Sequence, residues 1–412
     1  MKNKKSLRII SALMLGLILT SSGCTGTGDD SSKTSSAPES SVSSTVSESS
    51  AKESSETIES KTETSSKEEQ SQSSQESSTE VSQISQTSES SKPKSNITPA
   101  VWEVTDENGN IIYMMGSIHA ADADALVLPD YFETAYAKCD ALAVECDITD
   151  SLSSLTNISA LKNMLYTDGT TIKDHVPEEE YNNAVKLLTD AGVYTSLYDV
   201  YKPVMWTSLA EQAAITRAGL SYSYGVDTNL INRAKEEKKE VLEVESVEFQ
   251  FNLLSSFSDE LQALLFSEIA QEDYLDKAAD SLNRLYVKWK TGAVTVDDIE
   301  EDYSGLTPEQ LKLVEEYDNS LKNNRNAGMV LKAQEYLESG KKVMFVVGAA
   351  HFYGEKGILQ LMQNNGCTLR QLTAEDAEPL ESSTQVSQHP SEELTEPESS
   401  VKETDPAALR AA

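Results

Sequence analysis

Four histidines and four cysteines are all that 412 residues contain, and aromatic residues make up only 6% of the chain. No CxxC pair, HExxH or GxSxG occurs. Those absences exclude the dithiol, zincin and serine-elbow chemistries that the spacings serve. No cysteine sits beside a histidine, so covalent catalysis has no visible nucleophile. Cys24 aside, Cys139, Cys146 and Cys367 are an odd remainder, which reads as buried thiols rather than a disulfide framework. Basic residues are scarce as well: 34 Lys and Arg face 68 Asp and Glu, for a net charge of −34. Residues 1–24 carry +4, 25–96 carry −7 and 375–412 carry −8, which leaves −23 on the segment between them. So acidic a segment repels nucleic acid and anionic lipid headgroups, and leaves cationic substrates or metal ions open.

Composition divides the chain before any motif does. Residues 1–24, MKNKKSLRIISALMLGLILTSSGC, place basic residues ahead of an apolar stretch from Ile9 to Leu19. The stretch is short for a bilayer span and runs into small residues and a cysteine, the layout of a bacterial lipoprotein signal with Cys24 as lipid acceptor. Residues 25–96 are nearly all Ser, Thr, Glu, Gln and Lys, and 375–412 repeat that character with added proline. Neither segment can bury enough apolar surface to offset its chain entropy, so both are expected to be disordered, one as a tether and one as an acidic tail. Residues 97–374 remain, enough for one large domain at an extracytoplasmic, lipid-anchored location.

Within that domain, VWEVTDENGNIIYMMGSIH reads as a β-hairpin turning at Asn108-Gly109-Asn110. PDYFETAYAKC has helical spacing, and ALAVECDI is a short strand carrying one carboxylate, Glu145. Near the other end, KKVMFVV is strongly β-like, EKGILQLMQNNG is a helix closed by Gly366, and CTLRQL is a last strand. The long stretch between is mostly helical: VPEEEYNNAVKLL starts on proline, and TPEQLKLVEEY has Thr307, Pro308 and Gln310 placed for a capping box. KEVLEVESVEFQFNLL reads as strand, turn and helix. The fold class expected is α/β, a mixed sheet with a large helical insertion.

Two stretches echo one another. IIYMMGSIH ends on Gly116 and His119, and VMFVVGAAH ends on Gly348 and His351, so each apolar strand runs into a glycine with a histidine three residues on. In open α/β sheets ligands gather at the carboxyl ends of strands. A glycine there permits positive φ or close backbone approach. Glu145 occupies the same end of a third strand. Two imidazoles and a carboxylate form a common inner shell for a catalytic divalent metal, although each histidine could equally do no more than hydrogen-bond its turn. His175, just before a helix start, and His389, in the tail, are set aside.

GSIHAA, AVECD, YGVDTNL at 224–230, ESVEFQ at 245–250, the RN of NNRNAGM at 323–329 and VVGAAHFYGEKGI, in this order, resemble the TraB/PrgY/GumN family. That family includes the animal TIKI proteins and is more distantly similar to the ChaN and erythromycin-esterase group. The resemblance spans 99–373 and implies an α/β fold with both GxxH motifs in one cleft. TIKI-type members imply a metalloprotease using manganese or cobalt, with zinc an option, that acts on extracellular peptides or proteins. PrgY-type members imply capture or degradation of a peptide pheromone, and the ChaN group a haem- or metal-binding surface lipoprotein. On this chain the implied metal ligands are His119 and His351, with Glu145 or Glu245 as the third and the other glutamate as general base. Arg325 would stabilise an oxyanion or grip a substrate carboxylate, or else form a surface ion pair. Gly116, Gly348 and Gly354 would shape the turns, Tyr353 would donate to the oxyanion or merely pack, and Asp227 would orient a histidine or cap a helix.

Overall fold

Asp106 closes the first turn with its own side chain. Its carboxylate accepts from the backbone N–H groups of Asn108 and Asn110 at 2.9 and 2.7 Å, and Gly109 takes the left-handed conformation the turn requires, at φ +84°. The hairpin so formed joins β1 (Val101–Thr105) to β2 (Ile111–Ser117), antiparallel, with Thr105 opposite Ile111. The structure is a computed structural model and describes residues 94–149, 162–299, 303 and 306–378. The signal segment with Cys24, all but the last residues of the expected tether, and the tail with His389 fall outside them.

After the hairpin come α1 (Asp130–Ala137), β3 (Ala141–Val144), α2 (Glu178–Asp190), α3 (Pro203–Arg217), α4 (Val226–Glu236), β4 (Glu240–Glu243), α5 (Val247–Ser255), α6 (Asp259–Ile269), α7 (Tyr274–Lys290), α8 (Pro308–Asp318), α9 (Asn324–Ser339), β5 (Val343–Gly348), α10 (Ile358–Asn364) and β6 (Thr368–Gln371). α8 begins with the expected capping box, Thr307 accepting from Gln310 N–H while Gln310 reaches back. It runs through a π-helical segment, Asn319–Asn323, into α9. No sequence signal announced that wide turn, a rare geometry that often marks a functional position.

The strands order as β4-β3-β5-β2-β1-β6. β4, β3, β5 and β2 run parallel, and β1 is antiparallel to both β2 and β6, so the sheet is mixed as expected. All the helices from α2 to α9 lie in the chain between β3 and β5, interrupted only by β4. Alternation along β2 and β5 sends side chains to opposite faces. Tyr113, Met115, Met344 and Val346 join the core under α3 and α7, whereas Ile112, Met114, Val343, Phe345 and Val347 pack on α9 and α10. Both faces are therefore covered, which explains the unbroken apolar runs. A smaller core joins α5, α6 and α8. Cys139, Cys146 and Cys367 are free and buried. Among the described residues no helix is long and apolar enough to cross a membrane.

Gly116 is needed for close approach rather than for its dihedral freedom. A Cβ there would lie 2.7 Å from the Ala349 Cα and 3.0 Å from its Cβ, where β2 meets the turn after β5. Gly116→Ala should cost about 1–3 kcal/mol of unfolding free energy in urea. Gly328→Ala, facing open space on the solvent side of α9, should instead stabilise by about 0.5–1 kcal/mol. Equal effects of the two substitutions would contradict this assignment.

A candidate active site at the carboxyl edge of the sheet

β2 and β5 are hydrogen-bonded neighbours, with Ser117 opposite Gly348, and β3 lies on the far side of β5. The two GxxH motifs and Glu145 thus leave the same edge of three adjacent strands. β3 and β4 continue their pairing beyond the strands: Val244 N–H donates to Val144 O at 2.9 Å, and Glu245 N–H to Glu145 O at 2.7 Å. That continuation delivers both glutamates to one place.

There Arg325, from the first turn of α9, lies between them. Its Nη2 is 2.7 Å from Glu145 Oε2 and 2.6 Å from Glu245 Oε2, and its Nε donates to Glu245 Oε1 at 2.9 Å. Its Nη1 donates at 3.2 Å to Leu321 O, a carbonyl of the π segment. Gln250 Nε2 donates to both carboxylates, at 3.2 Å to Glu145 and 3.1 Å to Glu245. Arg325 is 3% exposed, so the alternative of a surface ion pair is overturned: the apolar covering of α9 takes the side chain inside. Burial opposes ionisation of Glu145, but Arg325 above all, then the histidines and the Gly348 N–H at 2.7 Å, holds its carboxyl down at about 2. A carboxylate that weakly basic is suited to binding a cation and poorly suited to general-base work.

His351 is completely buried. Asn326 fixes its tautomer: Asn326 Nδ2 donates to Lys356 O at 2.8 Å, so Oδ1 accepts from His351 Nδ1, at 2.6 Å. The lone pair is left on Nε2, which has no hydrogen-bond partner and lies 3.7 Å from Glu145 Oε1. Burial, and then the nearby Arg325 charge, pushes this imidazole down to about 3.

His119 is held in another way. Its Nδ1 donates to Asp227 Oδ2 at 2.9 Å, and Ser117 Oγ donates to the other oxygen of Asp227. Burial works against the charged ring, yet Asp227, with smaller help from Glu145 and Glu211, raises it to about 9. The YGVD motif brings Asp227 here. Gly225 packs against the His119 carbonyl, where a Cβ would come within 2.2 Å of the oxygen, and Val226 N–H donates to Ile118 O at 2.9 Å. The cap of α4 is Gly225, so of the two roles open to Asp227 the structure places it as the histidine's partner.

Gly354 has φ +97° and shapes its turn. Gly348, at φ −50°, needs no such freedom and contributes its N–H to Glu145. Tyr353 is half-buried, with its hydroxyl pushed up to about 12 by burial. It lines a cavity of about 860 Å³ together with Asn326, Ala350, Lys322 and Phe352, so the wall that holds His351 also faces a space of substrate size. His175 stacks on Tyr166 with centroids 4.0 Å apart, as a residue of the fold rather than the cleft.

A divalent ion can be tested against these donors. Two donors about 2.1 Å from one tetrahedral ion stand about 3.4 Å apart, close to the 3.7 Å between His351 Nε2 and Glu145 Oε1. An unpartnered imidazole lone pair beside an ionised carboxylate fits such an ion. Among the described residues no three His, Cys, Asp or Glu side chains gather into a group that could hold one, so His119 is not drawn in as a third donor. Asn326, Gln250, Ser117 and Glu211 complete the surroundings, and sequence reasoning assigned none of them a role. The first three lie inside motifs already quoted. The signal for Glu211 was a carboxylate placed in the apolar run of α3.

The sequence model of the TraB/PrgY/gumN family matches residues 100–371. The chain belongs to this family. Two relatives, both named uncharacterized protein YbaP, come from Escherichia coli (strain K12) and Shigella flexneri. Each is 25% identical over 272 residues, covering 64% of this chain and 92% of the relative's own length. No solved structure matches the chain, and the expected likeness to the ChaN and erythromycin-esterase group is not confirmed.

Arg325→Met should cost about 3–5 kcal/mol, because two buried carboxylates lose their cation. Acid should act on His351 as well. Its folded value of about 3 lies below the ordinary 6.5, so its contribution is full above pH 6.5 and is lost as pH falls toward 3. The contribution of Glu145 is full above 4.5 and is lost toward 2. Glu211, raised to about 8, has the opposite slope, lost as pH rises from 4.5, and is common to wild type and variant. Urea titrations with chelator present should therefore show His351→Gln losing less stability than wild type between pH 6.5 and 4.5. Parallel curves would contradict the buried neutral imidazole.

Proposed function

We propose that this protein is an extracytoplasmic hydrolase of peptide or protein substrates that works with a divalent cation held by His351 Nε2 and Glu145. The observation that carries this reading is the sealed, fixed lone pair of His351, 3.7 Å from a carboxylate that stays ionised at every physiological pH. A histidine depressed to about 3 is too weak a base to move protons near neutrality, but it is available to a cation without competition from them. Carboxylates outnumber cationic side chains in the cleft, which also favours a bound cation. Manganese or cobalt is the preferred ion by resemblance, with zinc an alternative; when bound it supplies a Lewis acid that polarises a scissile carbonyl.

The chain's own residues then have distinct duties. Asn326 keeps the His351 Nδ1–H turned away from the ion, and Arg325 with Gln250 keeps Glu145 ionised and aimed. Arg325 is committed to the two glutamates, so its part is positioning. His119, protonated at neutral pH and oriented by Asp227, donates a proton to the departing amine. A second reading makes His119 a third ligand, because a carboxylate on the far nitrogen is also how metal-bound histidines are held. Cys24 would tether the enzyme to the membrane. The first 24 residues support that tether, and Cys24→Ser should move the protein from the detergent phase to the aqueous phase on Triton X-114 partition.

The deciding experiment compares metal content and peptide cleavage in wild type, His119→Ala and His351→Ala. We expect near-stoichiometric manganese, cobalt or zinc in wild type and none in His351→Ala. His119→Ala should keep the ion while cleavage falls at least about a hundredfold. Loss of the ion in both variants selects the second reading. A wild type that takes up none of the three ions when each is added sinks the hydrolase reading, and capture of a secreted peptide is then the function to test.

A further inference from the structure

α3 is buried along nearly its whole length, and one carboxylate is buried with it. Glu211 is 6% exposed, its Oε2 is fully sealed, and among the described residues neither oxygen has a hydrogen-bond or ion-pair partner. The other acidic groups of the cleft are answered: Asp227 by His119 and Ser117, Glu145 and Glu245 by Arg325 and Gln250. Buried polar groups without partners are rare, because desolvation is not repaid, and those that persist commonly serve a ligand.

Three groups lie within electrostatic reach of Glu211: His119, Tyr222 and Tyr274. Tyr222 belongs to the short turn that is stitched to the His119 loop through paired backbone bonds between Ala121 and Ser221, at 3.1 and 2.9 Å. Glu211 therefore stands beside the reacting edge, on the His119 side and away from Arg325. The cation nearest it, His119, is already matched by Asp227. Burial alone, only partly offset by His119, lifts the Glu211 carboxyl to about 8, as expected of an acid with no cation of its own.

We propose that Glu211 is a recognition group for a primary ammonium, either the free α-amino end of a peptide or a lysine side chain, bound next to His119. The chemistry favours this class in three ways. Glu211, largely protonated when empty, gives up its proton as an ammonium arrives, and the carboxylate so formed pairs with it within electrostatic reach of the Tyr222 and Tyr274 hydroxyls. With Oε2 sealed, a single oxygen remains to be approached, which suits a compact ammonium better than a guanidinium needing two. The acidic domain raises the local concentration of any cationic peptide. Calling this ligand a substrate rests on the hydrolase reading, whereas binding the ammonium does not.

The test measures binding, with chelator present so that turnover plays no part. Leucinamide, N-acetyl-leucinamide and Nα-acetyl-lysinamide are titrated calorimetrically into the full-length chain and its Glu211→Gln variant at pH 7. We expect leucinamide to bind wild type at least about tenfold more tightly than its acetylated form, and Glu211→Gln to erase that difference. If the dependence on Glu211 appears with Nα-acetyl-lysinamide instead, the site reads a lysine side chain and the proposal stands. If neither ammonium probe weakens in the variant, Glu211 binds no amine and the proposal fails. Should Glu211→Gln not fold, Glu211→Asp replaces it: the withdrawn carboxylate should weaken the ammonium probes and leave N-acetyl-leucinamide unchanged. Absence of metal or of cleavage in the preceding experiment leaves this result untouched, so the two readings fail separately.

Discussion

One guanidinium joins the three chain segments on which the candidate site depends. Arg325 comes from the helix that follows the π segment, Glu145 from the end of β3 and Glu245 from the end of β4, so that residues up to 180 positions apart share a single buried ion cluster. Burying those charges is costly, and their mutual attraction compensates only because the remaining lone pairs are also met by Gln250 and by the Gly348 N–H. The same charge has a second effect. It keeps Glu145 ionised and, second to burial, helps keep His351 unprotonated, which makes the two compatible neighbours at 3.7 Å. With an apolar residue at 325, Glu145 would tend to take a proton, and burial would be left as the main force holding His351 neutral.

The two GxxH motifs are alike in sequence and opposite in chemistry. Both place a histidine just past a buried strand, and both hold Nδ1 with a side chain from a distant helix. One partner is a carboxylate and the other an amide, and that difference, added to the burial and then the Arg325 charge that hold His351 down, separates their protonation by several pH units. The echo read from the sequence was thus real as geometry and silent about charge.

That contrast marks how far the sequence was legible. Short-range chemistry was readable: the Asn-Gly hairpin, the Thr307 capping box, and the strands whose apolar runs meant burial on both faces. The neighbouring placement of β2 and β5 was expected from their shared ending. What could not be read depended on contacts between remote segments. Arg325 sits in a polar stretch, NNRNAGM, that resembles any exposed helix start, and only the packing of α9 against the sheet shows that it points inward. Glu211 stood in plain view as an acid within PVMWTSLAEQAAI, but a helix buried on all sides has no polar face to assign it to, so periodicity gave no guide.

The sheet order gives these pieces a direction. From β3 through β5 to β2, the edge carries first the arginine-bound carboxylates, then the neutral imidazole, then the imidazolium with its aspartate, and beyond it Glu211. Cationic side chains answer only part of that negative charge, and what remains is sheltered from water, where charge interactions are strongest. A cleft built in this way gains stability from whatever cation enters it. A metal ion at the His351–Glu145 end would meet charge already present, and an ammonium at the Glu211 end would meet the charge left when Glu211 gives up its proton. Because the two ends are separated by His119, the proton on that ring would lie between them, which is where a leaving amine must collect it.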